Sequence, residues 1–136
     1  MKLVIGGRAQ GKCALLLARE GLSPADVCDG ETCPLNPPPE TPVINHVHLL
    51  ARRLLEAGRD PVEILARYAD AHPDAIFISD EVGCGVVPLD PFDRAWREAA
   101  GRVCCMLAEK SDTVLRVYAG IPAVITKAII KNLNDF

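Results

Sequence analysis

The residues best suited to chemistry stand together near the start of the chain: Gly6, Gly7, Arg8, Ala9, Gln10, Gly11, Lys12 and Cys13. They fit G-x-x-x-x-G-K followed by Ser or Thr, in every position but the last. Such a loop holds a polyphosphate. Its N–H groups curl round the anion, the following helix N-terminus adds partial positive charge, and the lysine reaches the outer phosphates. The alternative is a glycine turn with a solvated lysine. Cys13 departs from the pattern. A hydroxyl there would ligate Mg²⁺, whereas a thiol is a poor ligand for so hard an ion.

A second candidate group is Asp80-Glu81. It follows the apolar run Ala75-Ile76-Phe77-Ile78-Ser79, which reads as a buried strand. Acids at the carboxyl end of such a strand hold Mg²⁺ beside a phosphate loop, directly or through water. They meet Lys12 if the strands Leu3–Ile5 and Ile76–Ser79 are near neighbours in a parallel sheet. The competing reading is a solvated strand end. Neither His46 nor His48, at the edge of a helical pattern, has a partner that sequence can name, and both read as surface or half-buried. His72, beside Pro73, reads as structural.

The elements that must position these groups alternate. Leu3–Ile5 predicts a strand, and Lys12 to Glu20 predicts a helix that Gly21 stops. Ala25–Cys28 is a candidate short strand. A proline cluster at 34–42 forms a linker or lid-like loop. Val43, Val47, Leu50, Leu54 and Ala57 recur at helical spacing and predict one helix over Val43–Ala57. Asp60-Pro61-Val62-Glu63 is a helix start, with His72-Pro73 as its stop. Asp90-Pro91 repeats that start, and Phe92, Trp96, Ala99, Val103 and Leu107 share one face. Thr113–Tyr118 predicts a further strand. A polar tail from about residue 131 is expected to fray. Strands alternating with helices predict an α/β fold with a mainly parallel sheet of three or four strands flanked by helices.

The bulk numbers set bounds. With 136 residues, one domain spanning 1–136 is expected. The net charge of −3 argues against general nucleic-acid affinity. No apolar stretch is long enough to span a bilayer, and the opening residues do not read as a signal peptide, so a cytoplasmic protein is expected. Six cysteines are many for this size, but as small buried hydrophobes they fit a reducing compartment. Cys28 and Cys33 are spaced like half a zinc site, and no second pair follows.

The stretch Ser79-Asp80-Glu81-Val82-Gly83-Cys84-Gly85-Val86-Val87-Pro88 resembles a signature of the adenosylcobinamide kinase/adenosylcobinamide-phosphate guanylyltransferase family. Arg94, Arg97-Glu98, Gly101-Arg102-Val103, Leu107-Ala108 and Gly120-Ile121 continue the similarity, and Gly6 to Lys12 matches the family's opening. The resemblance covers residues 1–20 and about 75–127. It implies a RecA-like phosphate-loop fold, Mg²⁺, GTP or ATP as substrate, a cobinamide-type corrinoid as acceptor, and assembly as a homotrimer. It implies two reactions: phosphorylation of the aminopropanol hydroxyl, then GMP transfer through a guanylyl-histidine. Gly6 to Cys13 would hold the triphosphate, with Lys12 neutralising its charge, and Asp80 and Glu81 would hold the metal.

Departures accompany the likeness. The basic, tryptophan-bearing segment that carries the family's guanylylated histidine has no counterpart here. Asn45 stands where the family usually has an acid, and on that alignment Val43-Ile44 is the remnant of a strand. Cys104 and Cys105 stand where the family has polar residues. The alternative is therefore a non-catalytic nucleotide- or corrinoid-binding relative. A small kinase for another alcohol rests on fold analogy alone.

Overall fold

The computed structural model describes residues 1–35, 40–82 and 86–125. Most of the proline cluster, the glycines and cysteine of 83–85 and the expected tail from 131 lie outside them. In chain order the elements are β1 (Lys2–Gly6), α1 (Lys12–Glu20), β2 (Val27–Asp29), β3 (Val43–Asn45), α2 (Val47–Glu56), α3 (Pro61–Ala71), β4 (Ile76–Asp80), α4 (Pro91–Lys110), β5 (Thr113–Tyr118) and β6 (Ile121–Ile125).

The sheet order is β2-β3-β4-β1-β5-β6. The first five strands are parallel, and β6 pairs antiparallel with β5. β1 therefore lies between β4 and β5, with Gly6 level with Asp80 on one side and Val117 on the other. This adjacency brings the glycine loop and the acids to one edge of the sheet. The fold is α/β, as the alternation of elements predicts, and P-loop-like, as the resemblance implies.

Strand side chains alternate between two apolar layers. Val4, Val43, Ile78, Leu115 and Val117 pack with Leu16 of α1. Leu3, Ile44, Phe77 and Val114 pack on the other face with residues of α2, α3 and α4, among them Leu54, Leu65, Val103 and Leu107. Helices thus cover both faces, which is what a parallel sheet requires. Among the described residues no helix is long and apolar enough to cross a membrane.

The helix starts behave as their residues dictate. Asp60 accepts from the Val62 N–H at 3.0 Å and Asp90 from the Phe92 N–H at 2.7 Å, each with proline at the first helical position. Gly21 closes α1 in the left-handed region.

The single helix expected over Val43–Ala57 is corrected to a strand, a break and a helix. Val43 and Ile44 are both fully buried, one in each apolar layer, which only a strand crossing between the layers permits. Asn45 Oδ1 then takes the His46 N–H at 2.9 Å, and His46 turns into the left-handed region at φ 53°. The helix begins one residue later. The short strand expected at Ala25–Cys28 is displaced to Val27–Asp29, after a 3₁₀ turn at Pro24–Asp26. Among the described residues the strand count rises to six through β3 and β6; β6, which contains Pro122, is an edge strand joined to β5 by a tight turn at Ala119-Gly120.

Candidate active site

The loop from Gly6 to Gly11 links the carboxyl end of β1 to the start of α1. Gly6 sits where a side chain would not fit: a Cβ there would lie 2.7 Å from the Val117 carbonyl oxygen. Gly11, with φ 77°, stands immediately before Lys12 and takes the turn that directs the helix N-terminus at the loop. Arg8, Ala9 and Gln10 form the outer rim. Gln10 anchors the loop to the β5–β6 turn: its carbonyl accepts from the Gly120 N–H at 2.9 Å and its Oε1 from the Ala119 N–H at 2.5 Å.

Lys12 is 6% exposed. Its Nζ lies 2.5 Å from Asp80 Oδ1 and donates to the Gly7 carbonyl at 2.7 Å. The ammonium is thus folded back into the mouth of its own loop. The juxtaposition of Lys12 with Asp80 predicted from sequence is therefore present at contact distance. Glu81 points elsewhere and meets Arg116 Nη2 at 2.9 Å. The Arg116 guanidinium also lies over the Tyr118 ring, 4.8 Å from its centroid.

Cys13, at the second position of α1, is half-buried. Burial, and then the charge of Asp29, push its thiol above the ordinary value. A neutral thiol at this place offers Mg²⁺ little. Asn45, at the end of β3, has its amide oxygen engaged by the His46 N–H.

Two histidines line the same sheet edge. His48 is buried, contrary to its reading as a surface or half-buried residue, because the first turn of α2 tucks under β4 and α4. Its Nδ1 accepts the Asp80 N–H at 3.2 Å and its Nε2 stands 3.5 Å from Asp80 Oδ2. Trp96 of α4 stacks on the ring and donates its Nε1–H to the His48 carbonyl at 2.7 Å. Burial lowers the readiness of His48 to take a proton; Asp80 opposes this, while His46 and Lys12 reinforce it.

His46 remains about one-third exposed, and its Nδ1 lies 2.8 Å from Asp29 Oδ1. Burial alone would raise the Asp29 carboxyl, yet it lies below its ordinary value because the Glu31 N–H, His46 and Arg53 together outweigh burial. A carboxylate only accepts, so Nδ1–H donates, and in the neutral ring Nε2 carries the lone pair. Asp29 reaches His46 because Gly30 allows β2 and β3 to close. A Cβ on Gly30 would sit 2.4 Å from the His46 carbonyl oxygen.

Asp29, Glu31 and His46 bring ligand atoms within 4.8 Å of one another. Cys28 and Cys33 belong to no such cluster among the described residues. Both thiols are free, and burial beside Cys33 pushes Cys28 up to about 11, which disfavours the thiolate that zinc needs. His72 is structural as read: its Nδ1 pairs with the Tyr68 carbonyl at 2.9 Å and its ring stacks on Tyr68. Cys104 is packed toward Ser79 at the end of β4, and burial raises its thiol. Cys105 faces solvent.

Sequence reasoning singled out the loop, Lys12 and Asp80, and the structure brings Lys12 and Asp80 together. It missed Asp29, Trp96 and Arg116 as members of the site. Their partners lie 17, 48 and 35 residues away in the chain, and no local pattern marks them.

A family model described as cobinamide kinase / cobinamide phosphate guanyltransferase matches residues 43–125. The match runs from β3 to β6 and takes in Asp80, Glu81, Trp96 and Arg116; the glycine loop lies ahead of it. No curated protein matches the chain. With more than half of its length matched, and with the P-loop-like sheet and lysine–carboxylate pair described above, the chain belongs to the cobinamide kinase / cobinamide phosphate guanyltransferase family.

Proposed function

We propose that the chain is a cytoplasmic corrinoid salvage enzyme that transfers the γ-phosphoryl group of GTP or ATP to the aminopropanol hydroxyl of cobinamide. One observation carries this reading: Lys12 and Asp80 converge at 2.5 Å in the mouth of a glycine loop, where a triphosphate would lie. Backbone N–H groups of Gly6 to Cys13 cradle the phosphates. Lys12 leaves Asp80 and the Gly7 carbonyl for the outer phosphates, and the transfer relies on positioning and charge neutralisation.

The donor set fits Mg²⁺ in part. Asp80 offers a hard carboxylate beside the phosphate lysine. Glu81 can join it by leaving Arg116, whereas Cys13 contributes a soft atom where a hydroxyl belongs. When bound, the ion would neutralise charge on the outer phosphates, and Asp80 with Glu81 would hold it.

Incubation with cobinamide and either triphosphate tests the assignment. Phosphorylated cobinamide is expected from the wild type and not from Lys12→Ala. Tight nucleotide binding without turnover would instead make the chain a non-catalytic relative. Sedimentation of the purified chain tests the homotrimer of the same reading.

A second reading, GMP transfer, is favoured by the Asp29–His46 pair. A nucleophilic histidine needs an accessible ring nitrogen and an orienting partner; His46, about one-third exposed and held at Nδ1 by Asp29, would supply them. Its Nε2 would attack the α-phosphorus of GTP, the bond to the bridging oxygen would break, and pyrophosphate would leave. A phosphate oxygen of cobinamide phosphate would then displace the imidazole. GTP labelled at the α-phosphate should leave an acid-labile adduct that His46→Asn abolishes. An unlabelled wild type defeats this arm alone.

A further inference from the structure

The geometry points to His48 as a positioning residue that receives the Asp80 carboxylate when nucleotide draws Lys12 away. This rests on the proposed phosphate-loop reading and deepens it.

The Asp80 carboxylate has two oxygens with two different neighbours. Oδ1 is 2.5 Å from Lys12 Nζ, and Oδ2 is 3.5 Å from His48 Nε2. The tautomer of His48 follows from its other nitrogen. A backbone N–H can only donate, so Nδ1, which receives the Asp80 N–H at 3.2 Å, holds the lone pair. The proton of the neutral ring is therefore on Nε2, facing Oδ2. The separation of 3.5 Å is too long for a strong hydrogen bond and short enough to close by a small rotation of the carboxylate.

The ring cannot easily follow Lys12. Trp96 holds its backbone carbonyl at 2.7 Å and stacks on its face, and the side chain is 7% exposed. The charged and titratable groups around it are Asp80, His46, Lys12 and Asp29, from three different elements and the β3–α2 junction. Of these, Asp80 touches both ring nitrogens.

A triphosphate competes with Asp80 for one ammonium. Once Lys12 leaves, an 18%-exposed carboxylate loses its cation, and an unpaired, mostly buried charge is costly. A donor already aimed at the second oxygen removes part of that cost. His48 thus lowers the barrier between the closed Lys12–Asp80 pair and the loaded loop, and keeps Asp80 at the carboxyl edge of β4 while Lys12 is away. It touches neither nucleotide nor acceptor.

The test uses full-length protein, GTP as the probe and EDTA to exclude metal. Nitrogen-15 spectra of histidine-labelled protein should show His48 as the Nε2–H tautomer. Saturating GTP should shift its Nε2–H resonance downfield, and should fail to do so in Asp80→Asn. In titrations, His48→Asn, which keeps an acceptor near the Nδ1 position but no donor at Nε2, should weaken GTP binding by about tenfold, the loss of one hydrogen bond to a charged group. His48→Gln, with a donor near the Nε2 position, should restore most of it. In an Asp80→Asn background, His48→Asn should change nothing. An Nδ1–H tautomer, a ring unmoved by saturating GTP, or equal losses in both backgrounds would overturn the role of His48 while leaving the phosphate loop standing. Failure of the wild type to bind GTP would overturn both.

Discussion

Replacing Asp80 by Asn should tighten metal-free triphosphate binding while abolishing phosphoryl transfer. In the structure Lys12 is masked: its Nζ is 2.5 Å from Asp80 Oδ1. Unit charges at that separation attract by about 7 kcal/mol at an effective dielectric constant of about 20. Desolvation of both groups offsets most of this, leaving about 1.5–3 kcal/mol for the charged hydrogen bond. Asparagine removes the opposing charge and keeps a hydrogen bond to the ammonium of about 1 kcal/mol. The ammonium is thus released by about 0.5–2 kcal/mol, which corresponds to a gain in affinity of about two- to thirtyfold. Calorimetric titration of GTP in EDTA measures it. Turnover with Mg²⁺ should fall in the same variant because the proposed metal carboxylate is gone. Unchanged or weaker metal-free binding would show that Asp80 does not compete with the phosphates for Lys12.

Three further outcomes follow from particular contacts. Cys13→Ser replaces a soft atom by a hard one, so the ratio of GTP affinity with and without Mg²⁺ should rise several-fold in titration calorimetry. Gly30→Ala drives a Cβ within 2.9 Å of two carbonyl oxygens, those of His46 and Asn45, and should cost about 1–3 kcal/mol in thermal or urea unfolding, with loss of any His46-dependent labelling. Asp29→Asn tests linkage. The Asp29 carboxyl is depressed in the fold, so its contribution is present above the ordinary carboxylate value of 3.8 and fades as pH falls through the depressed one. The melting-temperature gap between wild type and variant should be full at neutral pH and close as pH falls through the depressed value.

What the sequence showed, and what it hid, follows the range of the forces involved. The loop Gly6 to Lys12, the bounds of α1 and the starts at Asp60-Pro61 and Asp90-Pro91 were legible because glycine dihedrals, proline and side-chain caps act within a few residues. The Val43–Ala57 stretch misled because Val43, Val47 and Leu50 satisfy a helical repeat, while the burial of Val43 and Ile44 on opposite faces depends on β2 and β4. The β6 strand went unread, and its Pro122 is admitted by the edge position alone. Asp80 could be assigned to the site since strand ends in a parallel sheet gather at one edge. Its direct contact with Lys12 required β4 to be the immediate neighbour of β1, which no local signal encodes. Asp29 with His46 and His48 with Trp96 are products of tertiary packing alone.

The central claim is that the loop from Gly6 to Cys13, with Lys12, binds a nucleoside triphosphate. Equilibrium titration of GTP and ATP against the wild type and Lys12→Ala tests it most directly, with melting curves confirming that both are folded. Saturable binding to the wild type, weakened at least about tenfold in the variant, is predicted from the loss of the charged contact to the outer phosphates. Equal affinity in the two proteins, or no binding to either, would contradict it.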